Sequence, residues 1–252
     1  MTQPAPTHTR RLPVRLLAVC LLLGSPGGAA APQAVTFQPG PGDVFRDVPD
    51  VGDLGLWLLT GGPGAPLKRA VWNSEPYQGR TLREPINLIL IDRFARTPEQ
   101  ATARMNAALA AAGFKPTGGF GSGPGGYHAL LNGELRAQHP ATPGQAYSDG
   151  PPGAYNHHGV TFGPYRVGST FVFTGAFNGA DHRPDQTGAT PAGAGTQVFN
   201  NYMVARESLA AALDRNSVFH KKGYFDLQAI IDTPTETTAD SDGCAVVLVA
   251  RD

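Results

Sequence analysis

The segment Glu84–Phe94 (EPINLILIDRF) limits what this chain can become more than any other. Its run Ile86–Ile91 is almost wholly apolar, so the residue-by-residue alternation of a strand leaves neither face suited to water. A strand of that kind needs cover on both sides. The next residues offer one cover. Thr97 is placed to cap a helix, Pro98 takes the first helical position and Gln100 the capping-box position. Ala101, Met105, Ala108, Leu109 and Ala112 then recur at three- and four-residue spacing, and Gly113 suits a left-handed cap. Strand, short loop and amphipathic helix make the first two parts of a crossover unit.

The remaining chain supplies more strands. Leu54–Thr60 (LGLWLLT) reads as a short apolar strand ended by Gly61-Gly62-Pro63. The glycine-rich stretch Gly118–Gly126 follows a helix and lacks the Lys-Ser/Thr ending of a phosphate loop, so it reads as a surface loop. Tyr127–Arg136 predicts a hairpin turning at Asn132-Gly133. Ala137–Gly153 reads as a Pro/Gly-rich loop. Val160–Phe162 and Ser169–Phe177 are predicted strands joined through Gly163-Pro164; Phe171, Phe173 and Gly175 fall on one face, Val172 and Thr174 on the other. After a loop over Gly179–Gly195, the spacing of Val198, Tyr202, Ala205, Leu209 and Leu213 predicts a helix over Thr196–Asn216. Two strands, Tyr224–Ile231 and Gly243–Ala250, flank a polar turn, DTPTETTADSDG. This order predicts an α+β fold: a mixed β-sheet covered by two main helices, with long Gly/Pro-rich loops. The 32 glycines and 23 prolines among 252 residues fit such connections, because the apolar runs between them are long enough for a core.

The first thirty residues read as an export signal. Arg10, Arg11 and Arg15 form a positive region, Leu16–Leu23 (LLAVCLLL) is an apolar stretch too short to span a bilayer, and Gly24–Ala34 is rich in small residues. The organisation expected is a signal peptide over 1–30, an extended Pro/Gly-rich arm over 31–53 and a single domain over 54–252. Cys20 offers lipidation as the lesser alternative, since Val19 stands before it where a small residue is wanted. Without the signal the charge balance of 20 Lys+Arg against 20 Asp+Glu tips slightly acidic, which argues against nucleic acid as a partner. No later stretch has the length of a membrane span. Cys244, alone after removal of the signal, lies in the apolar run CAVVLVA and reads as core.

Chemistry centres on Tyr155–Asn178. His157 and His158 are the candidate catalytic residues, since imidazole both ligates metals and moves protons near neutral pH. With Asp181 and His182 they form a candidate donor set for a divalent transition metal, although adjacent strand residues point to opposite faces unless a turn at Gly159 intervenes. Tyr155, Phe162, Tyr165 and Phe177 are the candidate lining of a small-ligand pocket. The acidic turn Asp232, Glu236, Asp240, Asp242 departs from the EF-hand pattern and reads as a hairpin turn. Asp92 closes the buried strand at its carboxyl end, where it either faces a ligand or caps the following loop.

Four features recur in a fixed order: PINLILID (Pro85–Asp92), an Ala-rich helix ending in AAGF (Ala111–Phe114), NHHG (Asn156–Gly159) and TFVFTGAF (Thr170–Phe177), before a late helix. In this order the region Pro85–Leu213 resembles the C-terminal domain of LssY-like bacterial proteins. It departs from that pattern at Asn156, where an Arg is expected, and at Phe162, where the aromatic is often Trp. The resemblance implies an envelope setting rather than a particular reaction. Two functions of different class follow: an exported, non-catalytic binding module with an envelope or small-molecule partner, or a metal-assisted, phosphoesterase-like hydrolase built on the His157/His158 region.

Cleavage after Ala30 avoids Pro32 at the first mature position, which cleavage after Ala31 would create. Mass spectrometry of chain recovered outside the cytoplasm is therefore expected to show an amino terminus at Ala31; recovered chain that still begins at Met1 would contradict the export signal.

Overall fold

A computed structural model describes residues 45–61, 66–71, 76–120, 125–152, 154–182, 197–199 and 201–252. The first strands are β1 (Phe45–Val48), β2 (Gly52–Gly55), β3 (Leu59–Thr60), β4 (Lys68–Arg69), β5 (Pro76–Tyr77), β6 (Arg80–Leu82) and β7 (Leu88–Asp92), before helix α1 (Pro98–Ala111). Next come β8 (Lys115–Gly118), β9 (Tyr127–Leu131), β10 (Glu134–His139), β11 (Gln145–Ser148), β12 (Asn156–Val167), β13 (Thr170–His182) and β14 (Gln197–Phe199). Helix α2 (Tyr202–Asn216) is followed by β15 (Phe219–Asp226), β16 (Glu236–Thr237) and β17 (Cys244–Ala250).

The main sheet runs β1-β2-β9-β10-β12-β13-β7-β17-β15, and β5, β6 and β16 form a small sheet of their own. β7 and β17 are parallel, whereas β13 pairs antiparallel with both β7 and β12. The fold is thus α+β with a mixed sheet, and strands dominate it more heavily than the sequence suggests. Among the described residues no helix is long and apolar enough to cross a membrane.

All five residues of β7 are buried, as its apolar run requires. Leu88 and Leu90 face one way and join Met105 and Leu109 of α1 and Leu209 and Leu213 of α2. Ile89 and Ile91 face the other way, into a second cluster with Leu54, Tyr127 and Leu131. Each such side chain contributes about 1.5–3 kcal/mol on burial. β13 repeats the division: Phe171, Phe173 and Phe177 pack under the helices, and Val172 and Ala176 lie opposite. The second cover comes from the sheet itself. β10 pairs with β9 through Glu134–Ala137 and with β12 through Gln138 and His139, so one strand serves two ladders and brings β1, β2 and β9 over the face away from the helices.

α1 forms as its caps dictate: the Thr97 Oγ1 accepts from the Gln100 N–H at 3.2 Å, and the Gln100 Oε1 accepts from the Arg96 N–H at 2.7 Å. The hairpin turns at Asn132 (φ 49°) and Gly133 (φ 74°), the positive angles a two-residue turn of this kind needs. Between β12 and β13 the backbones approach so closely that a Cβ on Gly159 would lie 2.2 Å from the Ala176 carbonyl oxygen, so only glycine fits there.

Several expectations need correction. The segment read as an arm, 31–53, ends in β1 and the start of β2, which pair with each other; residues 31–44 lie outside the described residues. Leu54–Thr60 is not one strand: β2 ends at Gly55, Trp57 forms an isolated bridge with Pro85, and β3 begins at Leu59. β8 follows α1 but pairs with β11, not β7, so no crossover is completed there; β17, far along the chain, takes the parallel place beside β7. β11 lies inside the stretch read as the loop Ala137–Gly153. The helix expected over Thr196–Asn216 begins at Tyr202, and Gln197–Phe199 instead adds to the end of β13. The strand expected at Tyr224–Ile231 occupies Phe219–Asp226. Cys244 is half-buried rather than core. The expected signal peptide, 1–30, lies outside the described residues.

Candidate functional site

β12 begins at Asn156, and its first residues are in regular register with β13: His157 opposite Gly179 and His158 opposite Asn178. No bulge interrupts the ladder here, so the strand period sends the two imidazoles to opposite faces. Gly159 does not form the turn that would have let them converge.

His158 enters the cluster away from the helices. It is fully buried and stacks on Phe120, with ring centroids 4.3 Å apart. Its Nδ1 lies 2.7 Å from the Asn156 Oδ1. The Asn156 amide nitrogen donates to the carbonyls of Pro151 and Ala154, which leaves Oδ1 to accept and fixes His158 as the Nδ1–H donor. Burial pushes the His158 imidazole down to about 3, so it is neutral at ordinary pH.

His157 takes the opposite face, at the mouth of the loop between β11 and β12. Asp149 grips it twice: Oδ1 accepts from the His157 backbone N–H at 2.7 Å, and Oδ2 lies 2.7 Å from the ring Nδ1. The backbone N–H of Asp149 returns a bond to the His157 carbonyl at 3.1 Å. On the far side of the ring Nε2 meets the Tyr155 hydroxyl at 3.2 Å, and Tyr155 stands edge-on with centroids 5.3 Å apart. Burial alone would raise the Asp149 carboxyl, but its bonds to the His157 ring and backbone outweigh that and hold it below the usual carboxylate range. Asp149 is therefore an anion that orients His157, as carboxylates orient imidazoles in acid–base sites. Tyr155, 54% exposed, is the outer member.

Sequence pattern alone does not single out Asp149. The signal available was its place in the turn SDGPPG, where an Asp side chain commonly takes backbone N–H bonds. Of the proposed metal donors, His157 and His158 stand on opposite faces, and Asp181 and His182 end β13 with side chains outside the described residues. Among the described residues no group of three or more His, Cys, Asp or Glu is placed to hold a metal ion. The proposed aromatic pocket is also divided. Phe162 and Phe177 are buried in different core clusters, because they belong to opposite faces of the sheet. Tyr165 is half-buried under the Arg136 guanidinium, and Tyr155 alone of the four is exposed.

Two other acidic features resolve into structure. Asp92 is fully buried, accepts from the Phe94 and Ala95 N–H groups and pairs with the Arg104 Nε at 2.8 Å, so it caps the loop. In the acidic turn each carboxylate has its own partner: Asp232 pairs with Arg80, Glu236 with Arg83, and Asp242 with Arg206, while Asp240 caps α2 at the Tyr202 and Met203 N–H groups.

A second buried polar group was not anticipated. Glu84 is buried and accepts from the Asn178 Nδ2 at 2.6 Å. Burial pushes its carboxyl up to about 8, against the pull of that bond, so it is an acid near neutral pH. Asn178 is the register partner of His158 and shares its face, so an apolar layer holds both a protonated carboxyl and a neutral imidazole. Burial also raises the phenols of Tyr127 and Tyr202, with Glu84 adding to both.

Comparisons of the chain with protein families, with curated proteins and with solved structures find no match.

The two buried titrations act in opposite directions. Glu84, raised from 4.5 to about 8, contributes stability fully below pH 4.5 and loses it as pH rises through 8. His158, lowered from 6.5 to about 3, contributes fully above pH 6.5 and loses it as pH falls through 3. Glu84 and His158 should therefore oppose each other between pH 4.5 and 6.5, and urea denaturation should show stability declining from pH 6.5 to 8. Glu84→Gln should abolish the decline between pH 6.5 and 8; a decline that persists in the variant would contradict this account.

Proposed function

We propose that this chain is an exported, non-catalytic binding module of the cell envelope or the extracellular space. The observation that carries the reading is the closed chain of bonds Asp149–His157–Tyr155. Both ring nitrogens of His157 are engaged, and the result is an exposed phenol tied to the imidazole just before the start of β12. An aromatic surface fixed before contact loses little entropy on binding, and its hydroxyl supplies direction. Gly179, opposite His157, lies against Asn201 at the start of α2, whose first turn exposes Met203 and Val204. α2, with these two exposed apolar side chains, packs on the face of the sheet that His157 takes. The basic and apolar residues at 10–23 support export, and the resemblance to LssY-like C-terminal domains agrees with an envelope setting.

A second reading has one observation behind it. A carboxylate-oriented imidazole whose Nε2 faces a hydroxyl is also the arrangement of a general base. It differs from the metal-assisted hydrolase in using Asp149 and Tyr155, not His158, beside His157.

Both are tested by one assay series on the mature chain, purified without a metal-binding tag. p-Nitrophenyl phosphate and p-nitrophenyl acetate would be offered with and without zinc or manganese, beside His157→Ala and Asp149→Asn variants. The binding-module reading predicts nitrophenol release at the buffer rate throughout. Release above that rate, lost in both variants while the fold survives, would replace it with the acid–base reading.

A further inference from the structure

We infer that the cleft at the carboxyl end of β7 is a binding site for a phosphate group carried on an apolar body. The cleft is open to solvent and offers about 450 Å³, within the range of about 300–1,000 Å³ usual for small-ligand sites. Two loops form it. Arg93, Phe94 and Arg96 come from the connection between β7 and α1, and Arg166, Ser169 and Phe171 from the turn between β12 and β13. The pairing of Asp92 with Phe171 in the β7–β13 ladder brings the two together.

Three arginines thus line one cleft, and among the described residues no carboxylate is paired with any of them. Asp92 points inward to Arg104 and to the loop N–H groups, fully buried. Glu99, on the first turn of α1, bonds to Thr97 and to its own backbone. Arg166 is also positioned: its Nε donates to the Gly168 carbonyl at 2.9 Å, and its guanidinium lies 5.9 Å from the centre of the Phe171 ring.

The donors select the ligand. Guanidinium forks match phosphate and carboxylate oxygens, and phosphate offers enough acceptors for three guanidinium groups and the Ser169 hydroxyl at once. Phe94, 38% exposed at the rim, gives the organic part of an ester an apolar contact. The phosphate could be carried by a free ester or by a phospholipid headgroup; the cleft recognises the chemistry the two share. This inference goes beyond the binding-module reading and stands independently of the Tyr155 surface. It places the contact at the opposite end of β12 from Tyr155.

The test is titration of the ¹⁵N-labelled mature chain with phenyl phosphate and, separately, with benzoate. Shift changes are expected to centre on residues 93–96 and 166–171, with benzoate binding more weakly. Arg93→Ala and Arg166→Ala should each weaken phenyl phosphate roughly tenfold, while Arg251→Ala, an exposed arginine outside the cleft, should not. Sedimentation with phosphatidylglycerol vesicles, compared with phosphatidylcholine, separates the sources. Binding to the former that is lost in the arginine variants assigns a headgroup, and saturable phenyl phosphate binding without vesicle binding assigns a free ester. Shift changes absent from both loops, or affinity unchanged in the arginine variants, would overturn the proposal. Release of phenol would instead sink the binding-module reading and leave the cleft standing.

Discussion

Everything in this fold depends on β7 and β13 being apolar on both faces. A strand with one wet face could sit at the surface of a two-layer domain. These two cannot, so helices must lie on one side and further strands on the other. α1 and α2 meet the first demand through Met105, Leu109, Leu209 and Leu213. The shared strand β10 meets the second by folding β9, β2 and β1 back over the sheet. Gly159 makes the arrangement possible at the point where the β12 and β13 backbones come closest.

The same constraint decides the fate of the histidine pair. Because β12 must stay in register with β13 to keep its own alternation of buried faces, two adjacent side chains cannot turn to a common point. His158 becomes part of the interior and is kept neutral by burial. His157, also buried, lies near the start of β12, where Asp149 and Tyr155 complete a hydrogen-bonded chain. A motif that looks like one site is divided by the sheet into two different environments.

What could be read from the sequence was what depends on local pattern. The β7 run, the capped start of α1, the Asn132-Gly133 turn and the division of Phe171 and Phe173 from Val172 all follow from periodicity and capping chemistry within a few residues. The misses depend on partners far along the chain. β8 (KPTG) and β11 (QAYS) carry little strand propensity and are strands because they pair with each other, β11 also pairing with β12. Gln197–Phe199 fits a helical spacing but is drawn into pairing with β13. The acidic turn is legible as a turn, but its partners Arg80, Arg83 and Arg206 come from distant segments and are not. Of the site, His157 and Tyr155 were legible as chemistry-bearing residues; Asp149 was not, because its role appears only when the loop before β12 closes on it.

The sheet separates the two imidazoles and gives each its own partner. The most direct measurement is ¹⁵N NMR of the imidazole nitrogens of the mature chain, followed through a pH titration and on addition of zinc. The account predicts His158 as the Nδ1–H tautomer, donating to Asn156 and staying neutral well below pH 6.5. It also predicts that zinc does not move the two rings together. A His158 ring that protonates at the ordinary imidazole value, or a zinc complex that shifts both rings in step at one equivalent, would contradict it.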